Sequence, residues 1–225
     1  MIRLHFIVEG QSEEAFVQYA LVDHLAHHHI YVNARRIRPR NLVRSGGRGG
    51  IISYRQLKKD LGLWMKEDDN VESYFTTMFD LYGLPRDFPG WRPPISGVSA
   101  RERVESLEEA FLKDMGHSRF IPYIQLHEFE SLVLVDPTVL EEIVPEAGRE
   151  IQSLRKECDS LGSPEEINEG PNTSPSKRIQ KHLPDFAGMK TQAAQLVSSR
   201  VGLPTLRRNC PHFNGWLEKL ERLDD

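Results

Sequence analysis

The chain has 225 residues, of which 39% are hydrophobic and 28% charged, with a formal net charge of −4. Such a length and apolar content suit one ordinary domain, or a core domain with a helical extension, and exclude a largely disordered chain. No apolar run approaches the roughly 18 residues a membrane span needs. Met1 to Gly10 lacks the basic start and long apolar stretch of a signal peptide, so a cytoplasmic protein is expected.

Ile2 to Val8 reads as a mostly apolar strand closed by Glu9-Gly10, after which Ser12 can cap a helix running through Phe16, Ala20, Leu21 and Leu25. The His27-His28-His29 run falls at that helix's end, where adjacent side chains diverge, so it reads as a solvated terminus rather than a metal site. A second strand fits Ile30 to Ile37. Between Arg35 and Arg48 the chain carries Arg35, Arg36, Arg38, Arg40, Arg44 and Arg48 without an acid. This stretch either neutralises phosphates or forms an unspecific basic surface.

The glycine-rich segment Ser45 to Gly50 is expected to be a loop before an amphipathic helix from about Ile51 to Met65. Tyr74 to Phe79 is rich in aromatic and β-branched residues and reads as a strand ending at Asp80. Leu81 to Ser99 holds so many prolines and glycines that it must be a long surface loop, with Trp91 placed to shape a cleft. A charged helix from Arg101 to Met115 leads to a fourth strand, Phe120 to Leu126, which stops at His127-Glu128-Phe129-Glu130. From Pro137 onward only short, proline-interrupted helices are expected. Cys158 and Cys210 are too few and too far apart for a disulfide scaffold or a zinc site.

Strands alternating with helices imply an α/β fold with a mostly parallel sheet. The expected division is an α/β domain over 1–136 and a helical extension over 137–225 packed on it. Ligands of such sheets bind beyond the carboxyl ends of the strands. The first strand finishes on Glu9, the third on Asp80 and the fourth on Glu128 or Glu130. Carboxylates brought together raise one another's pKa unless a cation neutralises them. Oxygen ligands without paired thiols suit Mg²⁺ or Mn²⁺, whose remaining coordination positions are open to substrate phosphates.

Two resemblances carry this further. Ile7-Val8-Glu9-Gly10-Gln11-Ser12-Glu13, with an aspartate after a later strand, resembles the TOPRIM domain of primases, topoisomerases and overcoming-lysogenization-defect (OLD) type nucleases. More closely, Val8 to Glu13, Phe79 to Pro85, His127 to Ser131 and Ser174 to Arg178 resemble the bacterial DUF4276 family. The TOPRIM resemblance implies a Rossmann-like sheet in which a strand-end glutamate and an Asp-x-Asp pair hold Mg²⁺ at a phosphate. Glu9 and Asp80 match the glutamate and the first aspartate. Tyr82 stands where the second aspartate would be, so Glu128 or Glu130 is the candidate replacement.

The resemblance to OLD-type nucleases implies a lysine after the acidic motifs, and Lys177 is the candidate for stabilising the transferring phosphate, with Arg178 beside it. Alternatively, Ser174 caps a helix and the two cations are its exposed first turn. The leading expectation is a Mg²⁺- or Mn²⁺-dependent nuclease using Glu9, Asp80, Glu128 or Glu130, and Lys177, with Glu13 holding a second ion or orienting the water. The expected partners are DNA or RNA, gripped by the arginine segment, and an ATPase encoded nearby in an anti-phage defence system. No membrane is expected, and a homodimer is left open. Two alternatives stand beside it: a catalytically degenerate TOPRIM-like regulatory subunit of that ATPase, and a metal-dependent phosphatase or nucleotidyl transferase. The chain itself has no phosphate-binding loop of the ATPase type.

Overall fold

The computed structural model describes residues 1–37, 51, 53–167 and 173–224. Strand β1 (Ile2–Val8) is followed by helix α1 (Gln11–Phe16), which continues through a π-helical stretch, Val17–Leu21, into α2 (Val22–Ala26). Next come β2 (Ile30–Arg36), α3 (Tyr54–Glu67), β3 (Ser73–Asp80) and α4 (Ala100–Met115). The remaining strands are β4 (Phe120–Ile121) and β5 (Ile124–Gln125). The rest is helical: α5 (Glu130–Val133), α6 (Gly148–Asp159), α7 (Pro175–His182), α8 (Lys190–Leu196), α9 (Gly202–Asn209) and α10 (Pro211–Glu221).

The strand order is β2-β1-β3-β4, with β5 also on β3, and every pairing is parallel. Side chains alternate across a strand, so β1 feeds two cores. Leu4, Phe6 and Val8 face a core shared with α1, α2 and the C-terminal helices, whereas Ile7 faces one built with Leu57 and Leu61 of α3 and Val104, Leu107 and Phe111 of α4. Both faces of the sheet are thereby covered, as a parallel sheet requires.

Two local expectations are corrected. The first helix is capped at Gly10, whose backbone N–H donates to Glu13 Oε2 at 2.8 Å, so Ser12 lies inside the helix rather than at its cap. The fourth strand is split at Pro122, which has no N–H to give to a ladder. The hydroxyls of β3 serve the chain around the break: Thr76 Oγ1 donates to the Ile121 carbonyl at 2.7 Å, and Thr77 Oγ1 accepts from the Tyr123 N–H at 3.0 Å.

The C-terminal helices are locked to the sheet by polar contacts at depth. Trp216 Nε1 donates to Thr76 Oγ1 at 2.9 Å, and its ring stacks on Tyr123 with centroids 4.1 Å apart. The buried Glu165 carboxylate accepts the N–H groups of His212 and Phe213, both at 2.9 Å, at the start of α10. An acid in that position satisfies orphan donors and complements the helix dipole.

Candidate metal centre

The strand ends deliver the acids to one place. Glu9 follows β1, Asp80 ends β3, Glu128 lies in the turn after β5, and Glu130 opens α5. Three hydrogen bonds chain four sequence motifs together at this point. Asp80 N donates to Glu9 Oε2 at 3.3 Å, Phe129 N to Asp80 Oδ1 at 2.8 Å, and Ser176 N to Glu128 Oε2 at 2.8 Å. His127 takes a left-handed backbone, φ 63°, which turns the chain between β5 and these acids. Its ring is hydrogen-bonded to the Tyr82 hydroxyl at 2.9 Å, and burial pushes its pKa down to about 4, so it is neutral at pH 7.

The carboxylates feel one another strongly. Burial, together with Glu130 and Glu128 and against the Asp80 N–H, pushes the Glu9 pKa up to about 7. Burial and the charges of Glu9 and Glu130 do the same for Glu13. Asp80 is raised well above the usual range, first by burial and then by Glu13, Glu9, Glu130 and Glu128. Glu130 is only 3% exposed and also raised by burial, although Lys190 opposes the shift from 2.9 Å. Burial disfavours the charge of Lys190, but Glu130, Glu128 and Asp80 outweigh it and raise the lysine's pKa.

The loop after β3 must come very close to this centre. A Cβ on Gly83 would lie 2.6 Å from Glu9 Oε2 and 2.7 Å from Oε1, so only glycine leaves that carboxylate in place. Gly83→Ala is expected to push the Glu9 carboxylate out of the cluster, weakening Mn²⁺ binding by about tenfold or more, the scale seen when a metal site's supporting contacts are lost. Titration calorimetry checks the affinity, and an unchanged circular dichroism spectrum separates displacement of one side chain from unfolding.

A family model described as a domain of unknown function, DUF4276, matches residues 8–221. The chain belongs to the DUF4276 family. No curated protein and no solved structure matches it.

Of the residues singled out in this DUF4276 chain, Glu9, Glu13, Asp80, Glu128 and Glu130 come together. Both of the alternatives Glu128 and Glu130 act on the cluster, each raising the pKa of Glu9 and of Asp80, one from the turn after β5 and the other from the first residue of α5. Lys177 is not brought to them: it is exposed, with Nζ 3.4 Å from Gln180 Oε1. The motif around it serves the site through the Ser176 N–H instead. Ser174 does sit at the N-cap of α7, but its side chain makes no capping hydrogen bond. Arg178 is buried and paired with Glu157, on which Lys181 and His182 also converge. The cation at the acids is Lys190, at the first position of α8, a residue that no local motif marks.

Arg35 is ion-paired to Glu67 at 2.8 Å and lies over Trp64, and Arg36 is paired to Glu14 at 2.9 Å. Arg38, Arg40, Arg44 and Arg48 lie outside the described residues. Trp91 packs against the second core, while its neighbours Gly90, Arg92 and Pro93 line a cavity of about 500 Å³. Tyr82, Arg103 and His127 line the same cavity, so it opens beside the segments that carry Asp80 and Glu128.

Among the described residues, His24, His28 and Glu221 bring donor atoms within 4.8 Å of one another, close enough together that they could hold a metal ion. No helix of the described residues is long and apolar enough to cross a membrane.

Proposed function

We propose that the protein is a metal-dependent phosphodiesterase of TOPRIM type acting on DNA or RNA, with Mg²⁺ or Mn²⁺ held by Glu9, Asp80 and Glu128. Glu130 and Glu13 complete the acidic wall. The observation that carries this reading is the mutual approach of five carboxylates, from segments scattered between residues 9 and 130, at the carboxyl ends of parallel strands, with a single lysine, Lys190, 2.9 Å from Glu130. One ammonium does not balance so many carboxylates, and a hard divalent cation is their natural complement. No three of these carboxylates bring oxygens as close together as the donors of the His24 group, so without side-chain movement an ion here would be bound directly by at most two of them and reach the others through water.

In this mechanism the acids bind the ion and hold the attacking water, while the ion supplies Lewis-acid stabilisation of the phosphoryl oxygens. Lys190 takes the charge-stabilising role for which Lys177 was the sequence candidate. Its neighbour Glu130 fixes the Nζ position and keeps it protonated. Arg92 and Arg103, on the adjoining cavity, are placed to receive further phosphates of a polynucleotide. Coupling to an ATPase in a defence system rests on the TOPRIM resemblance.

A second reading is favoured by Tyr82, whose phenol is committed to His127 at the position of the second TOPRIM aspartate. A site so altered supports a binding or regulatory subunit that holds metal without cleaving. Incubation with supercoiled plasmid, single-stranded DNA and tRNA in Mg²⁺ or Mn²⁺, alone and with an ATPase encoded beside it, distinguishes the two. Cleavage abolished by Glu9→Gln and by Asp80→Asn establishes the nuclease. Metal binding without cleavage of any substrate leaves the regulatory subunit. Lys190→Ala should slow cleavage by about 10²–10³, the usual loss for one charge-stabilising donor, while Lys177→Ala should leave the rate within about twofold of the parent.

A further inference from the structure

We propose that His24, His28 and Glu221 bind a zinc-class divalent cation that clasps the end of α2 to the end of α10, independently of the acidic centre. His24 lies on α2 and His28 in the turn that closes it, and their ring centroids are 5.4 Å apart with planes tilted by 53°. Glu221, the last residue of α10, brings its Oε1 to 2.7 Å from His24 Nε2. The three donors lie within 4.8 Å of one another, so a small side-chain adjustment seats an ion between them. Two nitrogens and one carboxylate oxygen form a donor set suited to zinc and its neighbours in the transition series, and poorly suited to Mg²⁺ or Ca²⁺.

The surroundings support the same assignment. Arg207 grips Glu221 through both guanidinium nitrogens, with Nη2 3.1 Å from Oε2, and is itself held by Asn214 Oδ1 at 2.6 Å. Ligating carboxylates are commonly oriented by such partners. An incoming ion takes Oε1 from His24 and from one arm of Arg207, and the other arm stays on Oε2. That exchange, together with only three protein ligands, gives a site weaker than a closed four-ligand zinc centre and one that exchanges with solvent. His27 takes no part, because its Nδ1 is turned back to the Asp23 carbonyl at 2.7 Å.

The ion joins two ends of the chain. Helix α2 continues the helical run that begins beside Glu9 with Glu13, and α10 is the helix whose Trp216 locks onto the sheet.

The experiment uses the full chain stripped with EDTA and titrated separately with Zn²⁺, Co²⁺ and Mg²⁺. One equivalent of Zn²⁺ should raise the melting temperature, and Co²⁺ should produce the visible absorption of a low-coordinate nitrogen and oxygen site. His28→Ala and His28→Gln should each weaken Zn²⁺ binding by about tenfold or more, with circular dichroism confirming the fold. Glu9→Gln combined with Asp80→Asn should leave the Zn²⁺ response intact. Zn²⁺ binding that survives both His28 variants but disappears with the acidic ones would assign the ion to the carboxylates and overturn the clasp, as would absence of any Zn²⁺ or Co²⁺ response.

Discussion

In metal-free buffer the protein should become less stable as the pH is raised from about 6.5 to about 8. Glu9 and Glu13 have folded-state pKa values pushed up to about 7 from an ordinary 4.5. The folded state therefore holds protons that the unfolded chain has already released, and each step up in pH favours unfolding. The loss begins near the unfolded value of about 4.5 and is complete once the pH passes the folded value of about 7. For Glu9 alone a displacement of that size corresponds to about 3 kcal/mol, and a chain of this length loses roughly 2–4 °C per kcal/mol. Coupling among the acids prevents simple addition for Glu13 and Asp80. Mn²⁺ at neutral pH should restore the lost stability by replacing the protons. Glu9→Gln should flatten the dependence and melt higher than the parent at about pH 8. Thermal melts in EDTA decide the matter above about pH 6.5, because below it His127, with its folded pKa down at about 4, stabilises the fold as the pH rises and opposes the trend; a melting temperature that stays constant or rises between about pH 6.5 and 8 would contradict the burial and coupling of these acids.

Trp216→Ala should cost about 3–5 kcal/mol, the range for removing a large buried aromatic, and lower the melting temperature by roughly 6–20 °C. Trp216 is 3% exposed, stacks on Tyr123, meets Phe6 and Phe213 edge-on, and hydrogen-bonds to Thr76. Its removal leaves a cavity at the seam between the sheet and α10, and withdraws the indole donor from Thr76 beside the Pro122 break. Trp216→Phe keeps part of the ring contact and should cost less, about 1 kcal/mol of it from the hydrogen bond. Urea denaturation of the two variants separates packing from polar contact. Equal losses in both would mean that the hydrogen bond, and not the cavity, dominates.

The strands and the acids at their ends were legible because both signals are local. Apolar runs such as Ile2 to Val8 stop abruptly, and the residue at the stop is an acid. Lys190 was not legible, since it contacts Glu130 across 60 residues of chain, and nothing in Lys190-Thr191-Gln192 distinguishes it from any exposed helix start. Lys177 drew attention by standing inside a motif whose backbone, rather than whose cation, meets the acids. The break at Pro122 was masked by the apolar residues on either side of it. At the histidines the contiguous run His27 to His29 reads as a solvated helix terminus. The informative spacing was His24 to His28, and its third member, Glu221, lies nearly 200 residues away. Tertiary contacts of this span leave no periodicity to read.

The ion pair between Glu130 and Lys190 also bears on when the protein becomes competent during its synthesis. Glu9 leaves the ribosome some 180 residues before Lys190, a delay of roughly 10–40 s at ordinary elongation rates. Throughout that interval the growing chain carries the acids without the lysine and without the helices that cover one face of its sheet. On the proposed nuclease reading, a chain assembled in this order stays harmless to the message and the ribosomal RNA around it until translation is nearly finished.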